Sequence, residues 1–585
     1  MPRLCVPAAL AGLLALVAPA AAGAAEPAPF GHACVPRDGV RFCQGANPDD
    51  PAATLDRRVP SFDGTPIDAD VTLPARGDGP FPTLVLLHGY GGSKLSVEGD
   101  GRGRALDDAG RARRGYAVLS ISARGFGLSC GAPVSRTPDC DGKGWIHLAD
   151  QRFEVRDVQH LLGRLVDEGV ADARRLGATG GSYGGGQSLQ LAFLRDRVRL
   201  PDGRFARWRS PAGRALRLKA AYPVVPWSDL VSALVPNGRA DDFLAPVGVP
   251  IQSYITGLYF AGAAAGWVAP AGVDPTADLA GMKAMLDAGE PYGDAVVAAM
   301  RDVSAFKGVW SLGRRPAPLL LASGWTDDLF PPVQTIRVYD RLRGGLGRRA
   351  VWLQLGDFGH ARGGEHARDQ RLMERQALGF FAHFLRGAEG RVPKRGSVLA
   401  FGQSCPRTAA RGLGPFRAPS LGALATDRVT ASAPGVQTVS STGGDPALAA
   451  DLEPTLGKGG NACSSYPAAV APDTATVTRR SPGFTYLGVG RVAATVATAG
   501  PFGQLTARLW DVSGATQTLV DRAVYRLTPD QRGRIAFDLH GNGYRFARGH
   551  TVKLELVGLD APTHRASNQP FTVAVSRLRL TLPVR

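Results

Sequence analysis

The stretch RLGATGGSYGGGQSLQLAF, residues 175–193, decides how this chain is read. Ser182 stands in it with Gly180 two residues before and Gly184 two after. A short strand leads in, and the segment GGQSLQLAFL leads out as a helix, so the serine sits on a sharp strand-to-helix turn. Such a turn strains its central residue, leaves no room for flanking side chains, and lifts the hydroxyl into a cleft. A phosphate-binding loop would need a lysine that this stretch lacks. The arrangement points to a nucleophilic serine, with the backbone N–H of Tyr183 beside the reacting carbonyl.

Working outward, FPTLVLLHGYGGSK contains a continuous apolar run, Leu84 to Leu87, as expected of a strand covered on both faces. GYAVLSISARGFGLSCG repeats the form. FEVRDVQHLLGRLVDEG carries Val155, Val158, Leu161, Leu162 and Leu165 on one helical face. LKAAYPVVPW, APLLLASGW and AVWLQL are further strands, and RRVPSFDGTPIDADVTLPA reads as two short strands around Asp63-Gly64. Strands alternating with helices predict an α/β fold with a mainly parallel sheet over residues 56–400. Between 228 and 312 the alternation gives way to helical segments, read as a cap inserted over the sheet's edge. Residues 401–585 change to short alternating segments such as HTVKLELVG and SRLRLTLPV, which predict a C-terminal antiparallel β-sandwich. Residues 25–55 read as irregular and 406–450 as looped.

A serine hydroxyl is a poor nucleophile at neutral pH; it needs a base, and the base needs an orienting acid. In a fold of this kind the chain order is serine, acid, histidine. Asp327 follows the apolar strand of LLLASGWTDDLFPP, where active-site residues gather in α/β sheets. Asp328 is its competitor. His360, in the Gly-flanked loop of WLQLGDFGHAR, is the expected base; His366 has a helical, charged context, and Asp357 is read as bracing the loop. The second oxyanion donor is expected from LLHGYGGSK, as the backbone N–H of Tyr90 with its phenol available too, while His88 reads as structural. This chemistry requires neither metal nor cofactor, and no close Cys/His cluster with metal-ligand spacing appears.

The bulk numbers agree with a folded, multidomain enzyme: 585 residues, 44% hydrophobic and 20% charged. The net charge of +17 comes mostly from scattered arginines, with no basic run of the kind that grips nucleic acid. Residues 1–25 read as a secretory signal peptide, with Arg3 before a short apolar run and cleavage near Ala24 or Ala25. No later segment is long enough to span a membrane. The expected location is outside the cell or at its wall. Six cysteines lie beyond the leader, and proximity favours the pairs Cys34–Cys43, Cys130–Cys140 and Cys405–Cys463.

The motifs HGYGG, SARGFGLSCG, GGSYGG, GWTDD and GH resemble those of the X-prolyl dipeptidyl-peptidase and cocaine-esterase family of serine hydrolases. The resemblance implies an α/β-hydrolase core, a helical cap and a C-terminal jelly-roll domain. It also implies Ser182, Asp327 and His360 as the triad, with Tyr90 and Tyr183 at the oxyanion hole. Two departures stand out: Ser122-Ala123 before the RGxGxS segment where members often carry an Asp, and HGYGG at the oxyanion loop where some have RTPY. The favoured expectation is a secreted peptidase that releases dipeptides with proline second. The alternatives are a carboxylesterase for small acyl esters, a cell-envelope acyltransferase, and a non-catalytic surface-binding protein. A dipeptidyl-peptidase needs carboxylates for the substrate's free amine; Asp241 and Asp242 in the cap are the candidates. Substrate and oligomeric state stay open at this level.

Overall fold

The computed structural model describes residues 1, 26–99, 107–240, 244–303, 315–344, 350–364, 366–388 and 392–585. The expected signal peptide after Met1, and both Asp241 and Asp242, lie outside the described residues.

The chain is built on an eleven-stranded sheet. Its strands are β1 (Cys34–Arg37), β2 (Val40–Cys43), β3 (Ala69–Pro74), β4 (Phe81–Leu87), β5 (Ala117–Ile121), β6 (Ala171–Gly181), β7 (Leu218–Val224), β8 (Leu319–Gly324), β9 (Val351–Gly356), β10 (Val398–Gly402) and β11 (Leu413–Ala418). They lie in the order β1-β2-β3-β5-β4-β6-β7-β8-β9-β10-β11. Neighbours from β5 to β10 run parallel, and the flanking strands pair antiparallel. The central stretches of the parallel strands are buried because helices cover both faces. Leu84 and Leu86 pack under the Ala367–Arg386 helix with Phe380 and Phe381, while Val85 and Leu87 share the opposite core with Leu161 and Leu162 of the Glu154–Asp167 helix.

Between β7 and β8 come helices Leu230–Leu234, Gln252–Ala264, Leu279–Ala288 and Asp294–Val303. They lie over the carboxyl ends of the strands, where Tyr183, Trp227, Leu230, Tyr254 and Phe330 form one cluster. The C-terminal region is a sandwich of two antiparallel sheets, of seven and five strands. Its core holds the inward residues of the alternating strands, among them Val552, Leu554, Leu578, Leu580 and Leu582.

Two segments read as irregular are strands. Within 25–55, β1 and β2 form a hairpin that joins the main sheet through β3. Within 406–450, β11 pairs with β10, and Asp427–Ser432 and Val436–Ser440 pair with Thr572–Val584. These strands are short and partly exposed, so they lack a clean apolar period. Their order comes from distant pairing partners, which local sequence does not announce. The three disulfides join Cys34–Cys43, Cys130–Cys140 and Cys405–Cys463, as proximity favours.

Candidate active site

Ser182 follows β6 and immediately precedes the Tyr183–Leu194 helix. Its φ is 55° and its ψ −114°, a conformation that costs a non-glycine residue about 1–3 kcal/mol. The elbow is braced on both sides: Ser182 N–H donates to the Val224 carbonyl at 3.0 Å, and the Ser182 carbonyl accepts from Gly186 N–H at 2.9 Å. The flanking glycines follow from crowding. A Cβ on Gly184 would stand 2.1 Å from the Leu87 carbonyl oxygen, and one on Gly180 would stand 2.4 Å from the same atom.

The structure brings Ser182, His360 and Asp327 together. Ser182 Oγ lies 2.7 Å from His360 Nε2, and His360 Nδ1 lies 2.8 Å from Asp327 Oδ2. Asp327 sits in the turn after β8, and its Oδ1 accepts the backbone N–H groups of Leu329 and Phe330 at 3.0 and 2.9 Å. These donors hold the carboxylate with its oxygens toward the imidazole. The loop carrying His360 comes so close to the end of β8 that a Cβ on Gly324 would overlap the Phe358 carbonyl. Burial opposes charge on His360, but the field of Asp327 and the hydrogen bond to it outweigh burial and hold the imidazole above its ordinary value. The hydrogen-bond partners assign Nδ1–H to Asp327 and leave Nε2 to accept from the Ser182 hydroxyl.

Asp328 points elsewhere, accepting from Arg362 Nη1 at 3.3 Å. Arg362 also donates to the Leu519 carbonyl of the sandwich at 2.9 Å, so the loop after His360 is tied to the C-terminal domain. Asp357 accepts from Thr326 Oγ1, Gly364 N–H, Ser404 N–H and His366, which is the bracing role. His88 Nε2 accepts from Ala123 N–H and its Nδ1 donates to the Gly89 carbonyl; burial pushes it down to about 4, a neutral structural imidazole.

Tyr183 opens its helix, so its N–H has no intrahelical acceptor. Its phenol is buried and donates to Glu154 Oε1 at 2.9 Å, away from any oxyanion. Tyr90 lies in the loop after β4, where Gly89 passes beside Ser182, a Cβ there standing 3.8 Å from the serine Cβ. The Tyr90 phenol, expected to be available to an oxyanion, instead donates to the Leu258 carbonyl of a cap helix at 3.0 Å. The SARGFGLSCG segment is structural here: Arg124 is fully buried between Asp157 and Asp63, at 2.7 Å from each.

Sequence reasoning missed the cavity that opens on the serine. It has a volume of ≈ 380 Å³. Tyr90, Trp227, Leu258 and Phe330 wall it beside Ser182 and His360, with the Phe330 ring edge-on to the imidazole at 5.0 Å. Val235, Met282, Leu286 and Met300 line it under the cap. Among its described lining residues Lys283, which pairs with Asp287 at 2.5 Å, is the only lysine or arginine, and none is a carboxylate. The apolar periodicity of the cap helices was the available signal, but period alone does not distinguish a cavity wall from a core.

Residues 63–198 match the family model of the X-Pro dipeptidyl-peptidase S15 family, a span that includes Ser182 and Tyr90 and stops before Asp327 and His360. No curated protein matches the chain in sequence. Among solved structures, it resembles a CocE/NonD family hydrolase from Staphylococcus aureus at 12% identity, with 93% of each chain covered and a TM-score of 0.58. An aminopeptidase from the marine sediment archaeon Thaumarchaeota archaeon is similar at 14% identity, with 90% of this chain and 95% of that one covered and a TM-score of 0.56. An α-amino acid ester hydrolase is similar at 15% identity, with 90% and 96% covered and a TM-score of 0.52. Fold and family match together define the class: the chain is a serine hydrolase with an α/β-hydrolase core. Its resemblance is to the X-prolyl dipeptidyl-peptidase and CocE/NonD hydrolases, by family model over residues 63–198 and by fold over nine-tenths of the chain.

Proposed function

We propose that this serine hydrolase is a carboxylesterase that works through an acyl-enzyme formed on Ser182. His360 Nε2 takes the hydroxyl proton as Ser182 Oγ attacks the ester carbonyl, and Asp327 stabilises the imidazolium that results. The backbone N–H groups of Tyr183 and Tyr90 receive the developing oxyanion. His360 returns the proton to the leaving alkoxide, and water, activated by the same histidine, releases the acid. Export by the N-terminal leader belongs to the same reading; three disulfides suit an oxidising compartment.

The cavity carries the choice of ester over X-prolyl peptide. A pocket for a dipeptide's ammonium group would place a carboxylate near Ser182, because a buried cation without a partner is costly. The described lining of this cavity is mostly apolar and holds no carboxylate. The family-model match favours the peptidase reading, which is therefore the second arm of the test. Hydrolysis of p-nitrophenyl butyrate and Gly-Pro-p-nitroanilide is compared for wild type and Ser182→Ala. The esterase reading expects ester cleavage that the alanine variant loses by about 10⁴-fold or more. Cleavage of the anilide alone would replace it with the peptidase reading, and ester cleavage that survives the substitution would remove the mechanism.

A further inference from the structure

The cavity does not end beside the serine. It passes from the cluster of Tyr183, Trp227, Leu230 and Phe330 into a second apolar cluster inside the cap, made by Val231, Val235, Leu286, Val296 and Met300. At ≈ 380 Å³, against about 30 Å³ for a water's share of the liquid, it has room for about a dozen methylene-sized groups. The far wall comes from two helices: Leu279–Ala288 supplies Met282 and Leu286, and Asp294–Val303 supplies Met300.

The C-terminal sandwich grips the turn that joins those two helices. Glu290, in that turn, is 6% exposed. Its Oε1 pairs with Arg526 Nη1 at 2.5 Å, both side chains being 4% exposed, and Arg526 belongs to the sandwich strand Thr516–Leu527. Its Oε2 accepts from Asn568 N–H at 3.1 Å and from Arg565 Nη1 at 3.5 Å. Arg565 Nη2 donates to the Asp287 carbonyl at 2.9 Å, and Asn568 Nδ2 donates to the carbonyls of Ala288 and Glu290, each at 2.8 Å. The Arg565 guanidinium lies directly against Gly289, which has φ +74° and where a Cβ would stand 2.2 Å from it. A second hold lies at the start of the Gln252–Ala264 helix, where Arg526 Nη2 donates to the Gly248 carbonyl and Arg565 N–H to the Pro250 carbonyl.

We propose that the C-terminal domain is a specificity element of this enzyme: by holding Glu290 it fixes the far wall of the cavity, which measures and selects a medium-length apolar acyl chain. The proposal rests on the esterase reading above. Glu290, Arg526, Arg565 and Asn568 are positioning residues; they act through Met282, Leu286 and Met300. If the helix pair were free to move outward, the wall would retreat and the cavity would cease to discriminate among chain lengths.

The test is kcat/KM on p-nitrophenyl acetate, butyrate, octanoate and palmitate for wild type, Glu290→Gln, Asn568→Ala and Met300→Trp, with thermal melting to establish folding. Wild type is expected to peak at octanoate, at least about tenfold above acetate, since each buried methylene adds discrimination. Met300→Trp, which fills the far end, moves the peak to butyrate or shorter. Glu290→Gln and Asn568→Ala lower the octanoate-to-acetate ratio by about threefold or more, because a wall that moves returns less of the burial energy. A merely structural role would lower the melting temperature and leave that ratio unmoved, and this result would overturn the proposal. Should Glu290→Gln fail to fold, Asn568→Ala decides alone, since it removes two hydrogen bonds to the turn and one from Arg565 and leaves the Glu290–Arg526 pair in place. A wild-type profile flat across the four esters also overturns it while leaving the esterase reading standing. Cleavage of Gly-Pro-p-nitroanilide without any ester cleavage overturns that reading instead.

Discussion

Two histidines, six residues apart, each hold an aspartate at 2.8 Å: His360 with Asp327 and His366 with Asp357. Distance does not separate them; the partner of the second ring nitrogen does. His366 Nδ1 faces the Ala409 carbonyl, which can only accept, and its Nε2 faces the Asp357 carboxylate, so both partners favour a ring that carries both hydrogens. The bond to Asp357, then the opposing burial and the Ala409 carbonyl, leave it above its ordinary value. His360 Nε2 faces the Ser182 hydroxyl, which can donate, so a neutral His360 has a proton to take there. Exposure follows the same division: the His360 side chain is 19% exposed and opens on the cavity, while that of His366 is 2% exposed. A histidine–carboxylate pair becomes a base only where its other nitrogen meets a group with a proton to give.

That contrast can be broken in three ways. The largest effect is expected from Asp327→Asn, which removes the acceptor that fixes the His360 tautomer: kcat on an ester should fall by about 10⁴-fold. Equal losses for Asp327→Asn and Asp357→Asn would erase the distinction between the pairs. Next in size is the acid limb of kcat/KM. Protonated His360 cannot accept from Ser182, so activity falls as pH drops through its pKa, which Asp327 holds above 6.5. Its midpoint should therefore lie above 6.5 in wild type and move below that value in residual activity of Asp327→Asn, where burial alone acts. A midpoint that does not move would show that another group titrates.

The smallest effect concerns His366→Gln, read by thermal or urea unfolding at several pH values. A group whose folded pKa is raised contributes stability that is complete below its unfolded pKa and is lost as pH rises through the folded value. The substitution should thus cost about 1–3 kcal/mol near pH 5.5, and distinctly less above the folded pKa. A penalty that grew toward alkaline pH would contradict an imidazolium at this position.

Much of the serine's surroundings was legible along the chain because the constraint there is local. An elbow that forces φ to 55° at Ser182 needs glycines within two residues, and the neighbouring strand Phe81–Leu87 is apolar from Leu84 through Leu87. Asp327 and His360 were legible by order and by their loops at strand ends, while the competition between Asp327 and Asp328 needed coordinates. Adjacent residues point in different directions, and here one reaches His360 while the other reaches Arg362. The strands at 413–440 were lost because they exist through pairing with residues far along the chain.

The sequence by itself determined the candidate chemistry: a serine on a strained turn, a histidine and an aspartate in loops at strand ends, and the parallel sheet that presents them, all set by short-range sterics and apolar period. Tertiary structure alone decided what that chemistry meets. The apolar cavity is assembled from separate cap helices, and its far wall is held by Glu290 against Arg526, 236 positions later in the chain. No local pattern encodes such a pairing, because a buried ion pair is specified by the geometry of two domains and by the water their contact excludes.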